Sequence, residues 1–128
     1  MIIDTNVLIW LERETRRGES GRATAFFESL TETRLCITPT IAGEIASGVS
    51  MNGRETWEKF LLPFELLSIG ADAAWHYGCQ FRALASGSQL IGGNDLWIAA
   101  TALAHQLPVA TGNTDEFRRV EGLSVVGV

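Results

Sequence analysis

The sequence predicts an α/β fold, a three-layer α/β/α sandwich around a mostly parallel sheet of about five strands. Three observations carry this reading. Apolar runs too short for helices recur at Met1 to Ile3, Leu35 to Ile37, FELLSI, Val109 to Thr111 and the final LSVVGV. Between them lie longer segments whose apolar residues repeat at helical spacing. The two kinds of segment alternate, which is the order that builds parallel sheets from crossover units.

The opening MIIDTNVLIW sets the pattern. Ile2 and Ile3 are β-branched and favour a strand, Asp4 leaves its carboxyl end, and Val7, Leu8 and Leu11 begin a helix. The polar segment ETRRGESGR reads as a loop before a second helix that carries Ala25, Phe26, Phe27 and Leu30. After the second strand, Thr38 and Pro39 give a helix-start signal. That helix is expected to run through TIAGEIASGV, with Ile41, Ile45 and Val49 as its core stripe and Glu44 at the flank. Glu55 to Leu62 forms another helix before Pro63 stops it. FELLSI supplies the third strand. Ala71 opens a long helix through Trp75, Cys79 and Arg82, and SGSQLIGGN is the loop that ends it. Asp95 then stands in or just before the first turn of a helix whose Leu96, Ala99, Ala100, Leu103 and Leu107 share one face. Pro108 ends that helix, and the fourth strand stops at Gly112.

With 128 residues, 46% of them hydrophobic, the chain is expected to form one domain over residues 1–128 with a real core. No apolar stretch approaches the roughly 20 residues that span a bilayer, and no signal-peptide pattern opens the chain, so the expected setting is the cytoplasm, without a membrane. Cys36 and Cys79 match no metal spacing and are read as reduced, mostly buried thiols. His76 and His105 have no partners at zinc spacing. There is no nucleophile elbow and no phosphate-cradling glycine loop. A net charge of −5 argues against extended phosphate gripping. Arg13, Arg16, Arg17 and Arg22, with Arg118 and Arg119, are local exceptions that a solvated surface also explains.

Single acids have ordinary roles: Asp4 as a helix cap, Asp95 beside a helix dipole, Glu44 on a surface. Parallel strands joined by right-handed crossovers bring their carboxyl ends to one edge, however. Asp4 leaves one such end, Glu44 lies in the second turn of a helix after another, and Asp115 and Glu116 closely follow a third. No Lys or Arg adjoins Asp4, Glu44 or Asp95. Carboxylates that converge repel, and need protons or cations to be tolerated. Mg²⁺, a hard ion that takes oxygen ligands and retains waters, answers that need.

The segments IDTNVLI, TIAGEI, GGNDLWIAA and TGNTDEF resemble, in order and spacing, the four signature regions of PIN-domain ribonucleases, and within that family the VapC toxins of toxin-antitoxin pairs. The resemblance spans nearly the whole chain. It implies an endoribonuclease that hydrolyses RNA phosphodiester bonds with Mg²⁺ or Mn²⁺, with Asp4, Glu44 and Asp95 at the metal-holding positions. Asn113 stands where the family often has Asp, Glu116 before Phe117 matches an acid common there, and Asp115 is a weaker match. These positions complete the implied catalytic set and leave open whether one or two metals bind. Thr5, Asn6 and Thr111 are candidates to orient the carboxylates. The resemblance also implies a homodimer and a cognate antitoxin that wraps an apolar groove. Trp10, Phe26, Phe27, Trp57 and Phe60 are candidates for that groove or the dimer face, with core packing as their alternative. Two rival readings are a Mg²⁺-dependent phosphatase with Asp4 as nucleophile, which needs a second acid where Asn6 stands, and a catalytically silent PIN-fold binding module.

Overall fold

A computed structural model describes residues 1–128. Twelve elements follow in the order β1 (Ile2–Ile3), α1 (Thr5–Arg17), α2 (Arg22–Ser29), β2 (Cys36–Ile37), α3 (Pro39–Ala46), α4 (Arg54–Leu61), β3 (Glu65–Leu66), α5 (Ala71–Ser86), α6 (Gly93–His105), β4 (Val109–Thr111), α7 (Thr114–Phe117) and β5 (Val125–Gly127). The five strands form one sheet in the order β3-β2-β1-β4-β5, and every pairing is parallel. Side chains alternate between the faces of a strand. Ile2 and Ile3 are both wholly buried, so the central strand is covered on both faces, as the sandwich requires. A core of 19 buried residues joins β1, β2 and β4 to α1, α3, α5, α6 and α7. No helix is long and apolar enough to cross a membrane.

Chain order runs outward from β1 through β2 to β3 on one side and through β4 to β5 on the other. The direction reverses between β1 and β4, and crevices beyond the carboxyl ends of strands at such a reversal are where open parallel sheets bind ligands. Asp4 directly follows β1, and Thr111 is the last residue of β4.

The structure corrects several expectations, one being that Leu107 shares the α6 face, since α6 ends at His105, where Gln106 turns left-handed. The first helix continues through Arg17, so Glu14 to Arg17 are helical and not loop; it ends where Gly18 adopts φ 65° and donates its N–H to the Glu14 and Thr15 carbonyls. Helix α3 stops at Ala46, which removes Val49 from the stripe and leaves it fully exposed. FELLSI contributes only Glu65 and Leu66, both exposed at a sheet edge, where one neighbour pairs the backbone. The short helix α7 is an addition, and its Phe117 is wholly buried. Both cysteines are free, Cys36 buried and Cys79 partly so. Trp10, Phe26, Phe27, Trp57 and Phe60 are half-buried and pack against the core.

Glu14 fixes how α2 meets α1. Its carboxylate accepts hydrogen bonds from the Gly21, Ala23 and Thr24 N–H groups and from the Thr24 hydroxyl. These are the unpartnered donors at the start of α2, whose own cap position is a glycine with no side chain to offer. The bonds hold the Glu14 carboxyl below its usual value, the Thr24 hydroxyl contributing most.

Candidate active site

Asp4 is the anchor. It precedes α1, and its Oδ1 accepts the Thr5 N–H at 2.8 Å, so the cap expected of it is present. Its Oδ2 accepts the Thr111 hydroxyl at 2.7 Å. With 3% of its surface exposed, the carboxyl is pushed above its ordinary pKa by loss of water, and the bonds from Thr111 and Thr5 oppose that shift.

Two loops are tied together to hold this arrangement. The Thr111 Oγ1 accepts the Asn113 N–H at 2.9 Å and the Asn6 amide at 3.4 Å while donating to Asp4. Asn6 Oδ1 accepts the Gly112 N–H at 3.1 Å. Asn6 therefore clamps the turn after β4 onto the start of α1. On the other side, the Thr5 hydroxyl donates to Glu44 Oε1 at 3.1 Å and joins α1 to α3. Every buried side-chain nitrogen and oxygen has a partner.

Asp95, half-buried in the first turn of α6, is the electrostatic centre. Its pKa is raised to about 6, first by loss of water, then by the charges of Asp4, Glu116 and Glu44, and last by a hydrogen bond with the Glu116 carboxyl. Asp4 just after β1, Glu44 on α3 and Glu116 on α7 thus all act on Asp95 in folded space. Asp115 is exposed and has no part in this group, while its neighbour Glu116 is half-buried within it. Asn113 is also half-buried, and its side chain makes no capping bond to α7.

None of the four ion pairs in the chain includes Asp4, Glu44, Asp95 or Glu116. The group therefore has excess negative charge in a partly desolvated place, and its donors are all hard oxygens. That chemistry fits a divalent cation of the Mg²⁺ type. No three of the acids are drawn into a closed ligand cage. Mg²⁺ does not need such a cage, being commonly bound through one or two carboxylates with waters and substrate oxygens. Glu44 also lines a groove of about 490 Å³ with Arg13, Arg16, Glu12 and Met51, in which Arg16 is paired with Glu12 at 3.1 Å. The Arg118 and Arg119 pair lies elsewhere, exposed after α7, with Arg119 donating to the Leu90 carbonyl.

The sheet reversal and the acids gathered beside it define a class, an α/β domain with a carboxylate centre at the carboxyl edge of a parallel sheet. The PIN domain family model matches residues 1–123, and the chain belongs to that family. Its relatives there include Ribonuclease VapC of Rickettsia bellii, 32% identical over 131 residues that span 100% of this chain and 96% of that protein. Ribonuclease VapC1 of Haemophilus influenzae is 28% identical, with 95% of this chain and 92% of that protein covered. Among solved structures, VapBC-1 from nontypeable Haemophilus influenzae superposes with a TM-score of 0.79 at 25% identity, covering 98% of this chain and 96% of that one. VapBC2 from Rickettsia felis, solved on a promoter DNA fragment, gives 0.82 at 23% identity over 99% and 97%, a likeness of fold.

Proposed function

We propose that the chain is an endoribonuclease of the VapC type, the toxin of a toxin-antitoxin pair, and that it hydrolyses RNA phosphodiester bonds at the acidic centre. The observation that carries this reading is the convergence of Asp4, Glu44 and Glu116 on half-buried Asp95, in a place where none of the four is paired with a cation. Family membership and relatives named as VapC ribonucleases support it.

In this reading Asp4, Glu44 and Asp95 hold Mg²⁺ or Mn²⁺, and Glu116 and Asn113 complete the site. A bound ion supplies an activated water at neutral pH and charge neutralisation on the phosphoryl oxygens. The protein's own contribution is placement. Thr5 and Thr111 fix the two Asp4 oxygens, Thr5 also holds Glu44, and Asn6 keeps the β4 turn against α1. Arg13, in the groove beside Glu44 and in none of the ion pairs, is suited to receive the RNA backbone, whereas Arg16 is paired with Glu12. The phosphatase alternative loses support, because Asn6 is an amide committed to Thr111 and Gly112 where that chemistry wants an acid.

The antitoxin belongs to the same reading. The solved relatives named VapBC are toxin-antitoxin proteins, and this chain carries an apolar pocket of about 260 Å³ walled by Ile37, Trp57, Leu61, Leu62, Phe64 and Leu66 that such a partner can cover. A homodimer in the cytoplasm completes the proposal, and sedimentation of the purified chain reports its assembly state. The decisive experiment is cleavage of defined RNAs with Mg²⁺, with chelator, and with Asp4→Asn or Asp95→Asn. Metal-dependent cutting lost in both variants supports the reading. Cutting that survives in either variant, or no cutting by the unaltered chain freed of antitoxin, overturns it.

A further inference from the structure

Trp97, Tyr77 and Phe81 form a stack of three rings where α5 lies against α6. Trp97 and Tyr77 have centroids 4.3 Å apart at 28°, and Tyr77 and Phe81 are 6.4 Å apart at 15°. The other aromatic pairs, Phe26 with Phe27 and Phe27 with Phe64, meet edge to face at 69° and 71°. Near-parallel rings are the arrangement that a further flat ring extends. Phe81, at the outer end, is 44% exposed.

The stack also adjoins the acidic centre. A Cβ on Gly93 would stand 4.0 Å from the Tyr77 hydroxyl, and one on Gly92 would stand 3.9 Å from Asp95 Oδ2. The two glycines therefore leave a notch at the start of α6 with the phenol near one and the carboxylate near the other.

We infer that this stack is a platform on which a base of single-stranded RNA, next to the phosphate held at the acids, lies flat. Flat aromatic surfaces accept any base, because each base offers a π-face. The inference rests on the ribonuclease reading above and adds where the substrate's bases go.

Phe81→Leu keeps an apolar side chain but removes the ring, and Phe81→Trp enlarges it. With Mg²⁺ and a defined single-stranded RNA, Phe81→Leu is expected to raise KM about 5-fold or more while kcat stays within about twofold, and Phe81→Trp to restore KM, as the loss of one stacked base predicts. Because Phe81 is exposed and outside the buried core, both variants should fold and melt within a few degrees of the parent. An unchanged KM in Phe81→Leu overturns the platform while leaving the ribonuclease reading intact. A raised KM that comes with a smaller sedimenting mass also overturns it, since the ring would then serve contact with a second copy. Failure of the unaltered chain to cut any RNA removes both readings together.

Discussion

Thr111 donates its hydroxyl to Asp4 across 107 positions of sequence, at 2.7 Å and out of contact with water. That bond favours the ionised carboxylate, against a burial that favours the neutral acid. Thr111→Val keeps the shape and deletes the donor. The acidic limb of the pH–rate profile is expected to move to higher pH, with kcat down at neutral pH, and Thr111→Ser should restore both. A profile that does not move in Thr111→Val would show that Asp4 is held by other means.

Neutralising an acid should separate chemistry from scaffold. In the metal-free chain Asp95 faces the charges of Asp4, Glu116 and Glu44. Asp95→Asn is therefore expected to leave the melting temperature at pH 7 unchanged or raise it by a few degrees, while RNA cleavage falls to background. Asp95 at a helix start would otherwise favour the helix dipole, and its loss would lower the melting temperature. Calorimetry in chelator distinguishes the two signs.

The same acids predict how metal-free stability depends on pH. Asp95 titrates near 6 in the folded chain against 3.8 as its ordinary value, and Asp4 is shifted in the same direction. Folded protein then binds protons that unfolded protein has already released, so this contribution is full below the unfolded value and is lost as pH rises through about 6. Discounted for a half-exposed carboxyl, the loss from Asp95 amounts to on the order of 1 kcal/mol. Urea melts in chelator should show it, Asp95→Asn should flatten it, and Mg²⁺ at neutral pH should reverse it.

Glu14 carries the opposite sign. Its pKa is lowered by the donors at the start of α2, so its stabilisation is present above its unfolded value and disappears as pH falls through the folded one. Glu14→Gln keeps much of the shape but weakens the charge-assisted bonds to Thr24, Ala23 and Gly21. A lower melting temperature at pH 7, with the gap to the parent narrowing in acid, is the expected result, with RNA cleavage retained in the cold.

What could be read from residues alone follows from how local each signal is. Asp4, Glu44 and Asp95 stand on long elements or at their starts, where apolar spacing fixes the register and parallel topology fixes the edge. The choice between Asp115 and Glu116 is different in kind. Both lie on α7, a helix of four residues, too short to show a period. Only its docking through buried Phe117 turns Glu116 inward and Asp115 out. The capping by Glu14 was hidden for a similar reason: its partners lie beyond a turn, and ETRRGESGR reads as polar loop until Gly18 is seen to close a helix. Val49 fits the stripe by spacing, yet spacing does not tell where α3 ends. Thr5 and Asn6 stand out in the sequence as candidates to orient the carboxylates, but their bonds join segments 39 and 106 residues apart, and no local pattern encodes those partners.

Gly112 tests whether the turn after β4 must lie close to α1. A Cβ there would overlap the Trp10 ring, at a separation that real contacts do not show. Trp10 is half-buried and packs against the core, which limits how far it can yield, and the Arg22 guanidinium covers its ring at 3.3 Å from the centroid. Gly112→Ala must therefore push either the indole from its place or the turn from α1, and forced overpacking of this kind costs about 1–3 kcal/mol. The Gly112 N–H is bonded to Asn6, which in turn reaches Thr111 and through it Asp4, so a shifted turn also loosens the carboxylate. The expected outcome is a lower melting temperature together with a larger loss in kcat than in KM. Trp10→Leu removes most of the ring and should recover part of the kcat of Gly112→Ala when the two are combined. If the pair is no better than Gly112→Ala alone, the indole is not what excludes the side chain, and the close approach of turn and helix has another cause.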